Sequence, residues 1–475
     1  MSNVDTKINN IPTSIVIFGG TGDLAQTKLF PALLDLYLGK KLPDSFVIIG
    51  LSRKEMTDNE YENFVKESII KKGHYHETAL VESFCQHLRY VSGSFDNMES
   101  YERIKVALAD FDNSIGQCTN KLFYLAVPPQ YYETIFNYLH KSNAMTLCDG
   151  VESWSRLLVE KPFGKDLTTA QALEKQLCSL FDDKQIYRID HYLAKDAIEN
   201  IISLRFANSI LADSWNKDRI DSIEIKLLET KDVSSRGSFY DSIGTLRDVG
   251  QNHMLQILAL LTMSAVDVHD ATSVRSARTK TLQTILMDKP DTIIRGQYHG
   301  FTNTNGVNID SMTETYFKIS LLSKTPAWQG VRFTLEAGKA LRESINEAVI
   351  TFRPLDECNC AFAPETHSHR NVLKIRFAPE QLISLSMWTK KPGFDFELQK
   401  QELELVHTPS TDTHSPEAYE RVLFDCILGD QTRFVSGAEV EASWKFITPI
   451  LELFTTSPLL PYEKGSVGPV LENKQ

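Results

Sequence analysis

Four short stretches of this 475-residue chain concentrate side chains that do chemistry. RIDHYLAKD (188–196) packs Asp190, His191, Tyr192 and Lys195 together, and RDVGQNH (247–253) sets Asp248 and His253 at the head of an apolar run. EKPFG (160–164) carries Lys161, and GGTGDLA (19–25) carries Gly19, Gly20, Thr21, Gly22, Asp23 and Leu24. A histidine of near-neutral pKa held by a carboxylate is the usual proton acceptor when an alcohol is oxidised. A glycine-rich turn before a helix lets the backbone approach a pyrophosphate, which then meets the unpaired N–H groups of the helix start. A buried polar cluster of this kind is either satisfied or functional.

The elements that must position these groups follow from apolar patterning. Ser14–Phe18, Phe46–Gly50, Leu88–Val91, Leu122–Val127, Leu157–Glu160 and Gln185–Ile189 read as buried strands, with helical spacing between them, as in Thr27–Leu38. Such runs fit a parallel sheet covered on both faces, so residues 1–190 are expected to form an α/β Rossmann domain. Gly20, Gly22 and Ala25 match G-x-G-x-x-A directly after the first strand. The second strand ends Ser52-Arg53-Lys54, where NAD-preferring sites carry an acid for the ribose hydroxyl. A cationic pair there suits a 2′-phosphate, so NADP is favoured, with NAD left open.

Beyond Asp190 the rhythm changes. A helix is expected over His191–Arg205, N-capped by Asp190, with His191 and Lys195 four residues apart on one face. Two cations so placed repel by about 0.2–0.5 kcal/mol if the histidine is charged, and a dianionic phosphate between them reverses that sign. A second helix is expected over Asp248–Leu261. Asp221–Leu228, Glu314–Leu322, Val331–Ala337, Asn371–Phe377 and Leu382–Trp388 alternate as half-exposed strands. Residues 191–475 are therefore expected to form an α+β domain with a large, mainly antiparallel sheet.

Composition narrows the function classes. The formal net charge is −12, which disfavours non-specific binding to nucleic acid or to an anionic membrane. No apolar run approaches the ~20 residues of a membrane span, and the N-terminus lacks the apolar core of a secretory signal. Seven scattered cysteines point to reduced thiols in a cytoplasmic protein. Cys358, Cys360, His367 and His369 cluster, but without the usual zinc-finger spacing, and a solvated loop is the expected reading.

In sequence order, GGTGDLA, LFYLAVPP, EKPFG, RIDHYLAKD, LRFAN, RDVGQNH, GKAL, TKKPG and AYERVLFD resemble the glucose-6-phosphate dehydrogenase family over nearly the whole chain. The resemblance implies hydride transfer from C1 of β-D-glucose 6-phosphate to NADP, giving 6-phosphoglucono-δ-lactone at the entry to the pentose phosphate pathway. It implies His253 as the base, Asp190 as the carboxylate that orients it, and Lys161 as a contact to sugar and coenzyme. His191, Tyr192 and Lys195 would bind the 6-phosphate, Glu229 and Asp248 the sugar hydroxyls, and Lys339 would add positive charge on the phosphate side. Gly19, Thr21, Gly22, Asp23 and Leu24 match the family's coenzyme loop, and Lys28 and Arg53 match its 2′-phosphate contacts. The same resemblance implies no metal and a homodimer or dimer of dimers built on the large sheet.

The chain also departs from the family. Many relatives carry a basic phosphate ligand five positions after the GKAL lysine, where this chain has Ser344. Phe377 stands where a sugar-contacting glutamine is common. Glu336 and Ala337 replace the arginine-bearing stretch of a second, structural NADP site, so none is expected. Two rivals stay open at this level: a dehydrogenase of another aldose or sugar phosphate, and a catalytically silent nucleotide-binding paralogue.

Overall fold

The computed structural model describes residues 12–71, 78–147, 153–289, 293–355, 369–406 and 415–470. All six expected N-terminal strands form: β1 Thr13–Phe18, β2 Phe46–Ser52, β3 Leu88–Ser92, β4 Asn120–Leu125, β5 Ser155–Val159 and β6 Ile186–Arg188. They make one parallel sheet in the order β3-β2-β1-β4-β5-β6. Every residue of β1, β2 and β4 is buried, as near-continuous apolar strands covered on both faces require. The chain direction across the sheet reverses between β1 and β4, and the loop after β1 opens at that switch point. The helix that follows starts at Asp23, is π-helical over Ala25–Leu29 and continues as Phe30–Leu38.

By its contacts the chain forms two compact units, and the first is residues 1–164, 168–194 and 415–437. The sequence reading draws a single boundary at Asp190, whereas a stretch over 200 residues later completes the N-terminal unit. Helix Ala418–Leu428 packs on Phe30–Leu38. Arg156 donates to the Ile427 carbonyl at 2.8 Å and stacks at 3.8 Å over Trp154, and Phe434 meets the Tyr187 ring edge-on at 4.8 Å.

The second unit is residues 165–167, 195–414 and 438–475. Its strands are β7 Ile220–Leu228, β8 Ile285–Met287, β9 Ile294–Tyr298, β10 Tyr316–Ser323, β11 Arg332–Gly338, β12 Ile345–Phe352, β13 Val372–Ala378, β14 Leu382–Lys390, β15 Leu398–Val406 and β16 Leu459–Tyr462. They form a 10-stranded sheet ordered β15-β14-β13-β12-β7-β11-β10-β9-β16, with β8 also on β10. Only the β7–β11 and β9–β16 pairs are parallel. The five expected strands are all present, and the large, mainly antiparallel sheet is as expected.

One helix differs from expectation. The segment read as a helix from His191 becomes helical only at Asp196 and runs Asp196–Ala207. Asp190 closes a turn instead: its Oδ1 accepts the Tyr192 N–H at 3.0 Å and its carbonyl accepts the Leu193 N–H. Lys195 is extended, at φ −85° and ψ 132°, and ends the turn. Short-range hydrogen bonding by an aspartate thus outcompetes helix over 191–195, and the shared helical face of His191 and Lys195 does not exist. The second expected helix does form, running without a break from Leu246 to Thr262, but its first nine residues, Leu246–Met254, are π-helical.

Among the described cysteines, Cys85, Cys178 and Cys426 are free and Cys118 is disulfide-bonded, so the expectation of reduced thiols fails at Cys118. Cys358, Cys360 and His367 lie outside the described residues. His369 packs its ring against Trp388 at 4.4 Å.

Candidate active site

The Gly19–Leu24 loop is a tight backbone cradle. Gly19 sits at φ +84°, and a Cβ there would fall 2.4 Å from the Ala126 carbonyl oxygen. A Cβ on Gly20 would lie 2.7 Å from the Tyr61 hydroxyl, which itself donates to the Gly20 carbonyl at 3.1 Å. Any side chain at either position would push the loop out of place, so glycine is required by the approach of Ala126 and Tyr61. The N–H groups of the first helical turn, from Asp23, have no intrahelical acceptor. This cradle fits a dinucleotide pyrophosphate.

Beyond the loop, the Thr21 hydroxyl bonds Ser52 Oγ at 2.7 Å, and Ser52 also meets the Tyr90 hydroxyl at 2.9 Å. The Ser52 hydroxyl thus braces the loop against the third strand. Arg53 is exposed and Lys28 is about half-exposed, with Glu417 3.7 Å from the Lys28 ammonium.

Lys161 follows a carboxylate that sequence reasoning passed over. Glu160 is buried, its Oε1 accepts the Tyr124 hydroxyl at 2.6 Å, and the Tyr419 hydroxyl also bonds it. Tyr132 donates to the Glu160 backbone carbonyl at 2.8 Å. Burial pushes the Glu160 carboxyl above the usual range, against the pull of the Tyr124 hydroxyl and the Lys161 charge. Three tyrosines thus fix the backbone from which Lys161 projects. The only sequence signal was an acid at the end of a fully buried strand.

In RIDHYLAKD the residues separate by role. Arg188 is 0% exposed and grips Glu174 with two bonds, 2.9 and 2.6 Å, while Asp183 lies at 3.2 Å. Asp190 is buried in its turn. The half-buried His191 ring lies nearly parallel to the Tyr419 ring at 6.1 Å and edge-on to Tyr192 at 5.1 Å. Asp190, His191 and Tyr192 belong to the first unit, while Lys195 belongs to the second.

In the second unit the structure gathers Glu229, Asp248 and Lys339, which are distant in sequence. The three line one cleft of about 550 Å³, together with Thr230, Lys231 and Tyr240. Lys339 Nζ lies 3.0 Å from Glu229 Oε2 and 4.0 Å from Asp248 Oδ2, and 5.4 Å from the Tyr240 ring centre. Backbone bonds lock the two walls: Glu229 N–H to the Gly338 carbonyl, Leu341 N–H to the Glu229 carbonyl, and Ala340 N–H to the Lys231 carbonyl. The cleft is polar, offering acceptors and a cation to a hydroxyl-rich ligand.

His253 is 1% exposed, five residues along the same helix as Asp248. Ser344 Oγ accepts the Thr230 N–H at 3.0 Å, so the residue that replaces a basic side chain tethers a cleft residue instead. Phe377 is buried with Leu373 and Ile375 on β13, against which helix Asp196–Ala207 packs. Among the described residues, no helix is long and apolar enough to cross a membrane.

Comparison with known proteins gives a consistent result. Residues 16–200 match the family profile "Glucose-6-phosphate dehydrogenase, NAD binding domain", and residues 202–474 match "Glucose-6-phosphate dehydrogenase, C-terminal domain". Glucose-6-phosphate 1-dehydrogenase of Chlamydia pneumoniae is 38% identical over 480 residues, covering 96% of this chain and 93% of that protein. Glucose-6-phosphate 1-dehydrogenase 6, cytoplasmic, of Arabidopsis thaliana is 36% identical over 465 residues, covering 96% and 89%. A solved structure of glucose-6-phosphate dehydrogenase in complex with its substrate glucose-6-phosphate superposes with a TM-score of 0.88 at 34% identity, covering 96% of this chain and 95% of that one.

Proposed function

The chain belongs to the glucose-6-phosphate dehydrogenase family, and we propose that it oxidises β-D-glucose 6-phosphate to 6-phosphoglucono-δ-lactone with NADP as the acceptor. This is the first step of the oxidative pentose phosphate pathway. The observation that carries the reading on this chain is the cleft that brings Glu229, Asp248 and Lys339 together from three separated segments. Among the groups lining that space, the carboxylates of Glu229 and Asp248 suit the hydroxyls of a phosphorylated hexose, and the Lys339 ammonium suits its charge.

The roles follow the chemistry of each group. His253 takes the proton from the C1 hydroxyl, and Asp190 stabilises the imidazolium that results. Removing that proton as the C1 hydrogen departs avoids a full positive charge on oxygen, so base and positioning suffice without a metal. The nicotinamide of the bound coenzyme supplies the acceptor for that hydrogen with its electron pair. Lys161, set by the Glu160 anchor, contacts sugar and coenzyme, while His191, Tyr192 and Lys195 bind the phosphate. Glu229 and Asp248 accept hydrogen bonds from sugar hydroxyls, with Lys339 between them.

The Gly19–Leu24 cradle holds the pyrophosphate, and Arg53 with Lys28 supplies charge for a 2′-phosphate, which favours NADP over NAD. The reading extends to a cytoplasmic protein, assembled as a homodimer or dimer of dimers, with no nucleic-acid or membrane partner.

Absorbance at 340 nm tests it. Purified protein with NADP should turn over glucose 6-phosphate far faster than glucose or galactose 6-phosphate, and faster than with NAD. Equal efficiency on free glucose would overturn the phosphate assignment. Folded, NADP-binding protein that gives no signal would favour the silent paralogue.

A further inference from the structure

The helix Leu246–Thr262 carries both Asp248 and His253, and both of its ends are closed by buried side chains that no role above uses. A helix leaves its last four carbonyls without intrahelical partners. Here all four are taken. Arg205 Nη1 donates to the Leu260 carbonyl and Nη2 to the Met263 carbonyl at 2.5 Å. Trp215 Nε1 donates to the Leu261 carbonyl and Trp328 Nε1 to the Thr262 carbonyl, each at 2.7 Å. Arg205, Trp215 and Trp328 are all buried. Burial pushes the Arg205 guanidinium down to about 9, and no carboxylate offsets its charge among the described residues. The negative end of the helix dipole stabilises it, together with the Phe206 and Trp215 rings, whose centres lie 4.6 and 5.7 Å from the guanidinium carbon.

The other end is closed by an acid. Glu314, also buried, accepts the Leu246 N–H on Oε1 at 3.0 Å, and its backbone carbonyl accepts the Thr245 N–H. Gly244, at φ +73°, makes room for it, since a Cβ there would lie 2.4 Å from Glu314 Oε1. Between the ends, Gly250 lets the helix settle on Phe317 of β10, which a Cβ would meet at 2.9 Å. The stretch between the ends is the part that needs holding. Nine residues of π-helix, Leu246–Met254, contain both functional side chains, and such a register is rare and uncommonly long. Slipping to the α register would turn Asp248 and His253 to different directions.

We propose that Arg205, Trp215 and Trp328 at one end, with Glu314 at the other, are positioning residues that hold this helix in its π register and so aim His253. The inference rests on the reading of His253 as the proton acceptor. The residues act through the helix and touch neither sugar nor coenzyme.

The test is steady-state kinetics on full-length Arg205→Met, Arg205→Lys, His253→Asn and the Arg205→Met/His253→Asn double variant. Arg205→Met should lower kcat by about 10- to 100-fold, with the KM for glucose 6-phosphate changed less than about twofold. Arg205→Lys, which keeps a cationic donor, should recover most of that loss. The double variant should be no slower than His253→Asn alone, because a mispositioned base has nothing further to lose once the base is gone.

A merely structural arginine would give multiplicative losses, or would lower the melting temperature without a change in kcat, and either result overturns the proposal. If Arg205→Met fails to fold, Trp215→Phe and Trp328→Phe each delete one N–H and keep an aromatic ring in the buried position. Each should cost about three- to tenfold in kcat by the same logic, and unchanged kcat in both overturns it. Full activity of His253→Asn would instead sink the base assignment itself, a result separable from the single-variant outcomes.

Discussion

Arg188 and Lys339 are both cations set between two carboxylates, one in each unit, and both stand in stretches that mark the family. Arg188 is 0% exposed, and its guanidinium forks onto Glu174 through two bonds while also reaching Asp183. Lys339 makes one short contact, to a Glu229 that is 40% exposed, and a longer one to Asp248. The first arrangement is closed: three of its N–H groups are committed to carboxylates in a buried position, and no ligand can enter without leaving a charge stranded. The second is open, because an ammonium has three donors and carboxylates at a cleft wall can exchange it for sugar hydroxyls. On the proposed function, the difference separates a fastener from a binding group where sequence shows only two basic residues in signature motifs.

The largest expected effect lies on the exchangeable side. His253→Asn should lower kcat by about 10²- to 10⁴-fold, the usual range for a lost general base, while binding of glucose 6-phosphate by calorimetry is largely retained. Next, Arg188→Met should destabilise the protein by about 3 kcal/mol in urea unfolding, because it strands the nearly buried Glu174 carboxylate, while the KM for the sugar phosphate stays put. Lys339→Met should do the reverse. Losing a charged hydrogen bond to ligand should raise that KM by roughly one to two decades, about 1.5–3 kcal/mol, with little change in unfolding. If Arg188→Met raised KM and Lys339→Met unfolded the protein, the distinction between closed and open cations would be wrong.

Much of this was legible in the sequence because it is local. The glycine cradle shows in sequence as one strand, one turn and one helix start within Thr13–Leu38, although Ala126 and Tyr61, which close on it, are distant, and the buried strands of the first sheet declare themselves as apolar runs. What sequence misread was decided by competition or by distance. Asp190 looked like a helix cap, yet its side chain and carbonyl both serve a turn, and the helix waits until Asp196. The π register over Leu246–Met254 leaves the apolar pattern intact and so is invisible to it. The partnership of Glu160 with Tyr419 spans more than 250 residues and depends on the return of Ser415–Gly437 to the first unit. The exposed strand β15 has no buried alternation to announce it.

Glu160 gives the smallest and most selective test, because it is a third way of holding a charge: hydroxyl donors in place of a counter-ion. Its folded-state pKa is raised, chiefly by burial, with Tyr124 and Lys161 opposing. A carboxyl raised on folding stabilises the native state fully below its unfolded value, near 4.5, and that contribution is lost as pH rises through the folded value. Glu160→Gln keeps an acceptor for the Tyr124 hydroxyl and removes the titration. The difference in unfolding free energy, variant minus wild type, should therefore rise as pH increases from about 4.5 towards neutrality and then level off. A flat difference across that range would place Glu160 among ordinary carboxylates. A difference that fell with pH would mean that the hydroxyls and Lys161 stabilise its anion more than burial disfavours it, making Glu160 a compensated charge of the same kind as Arg188.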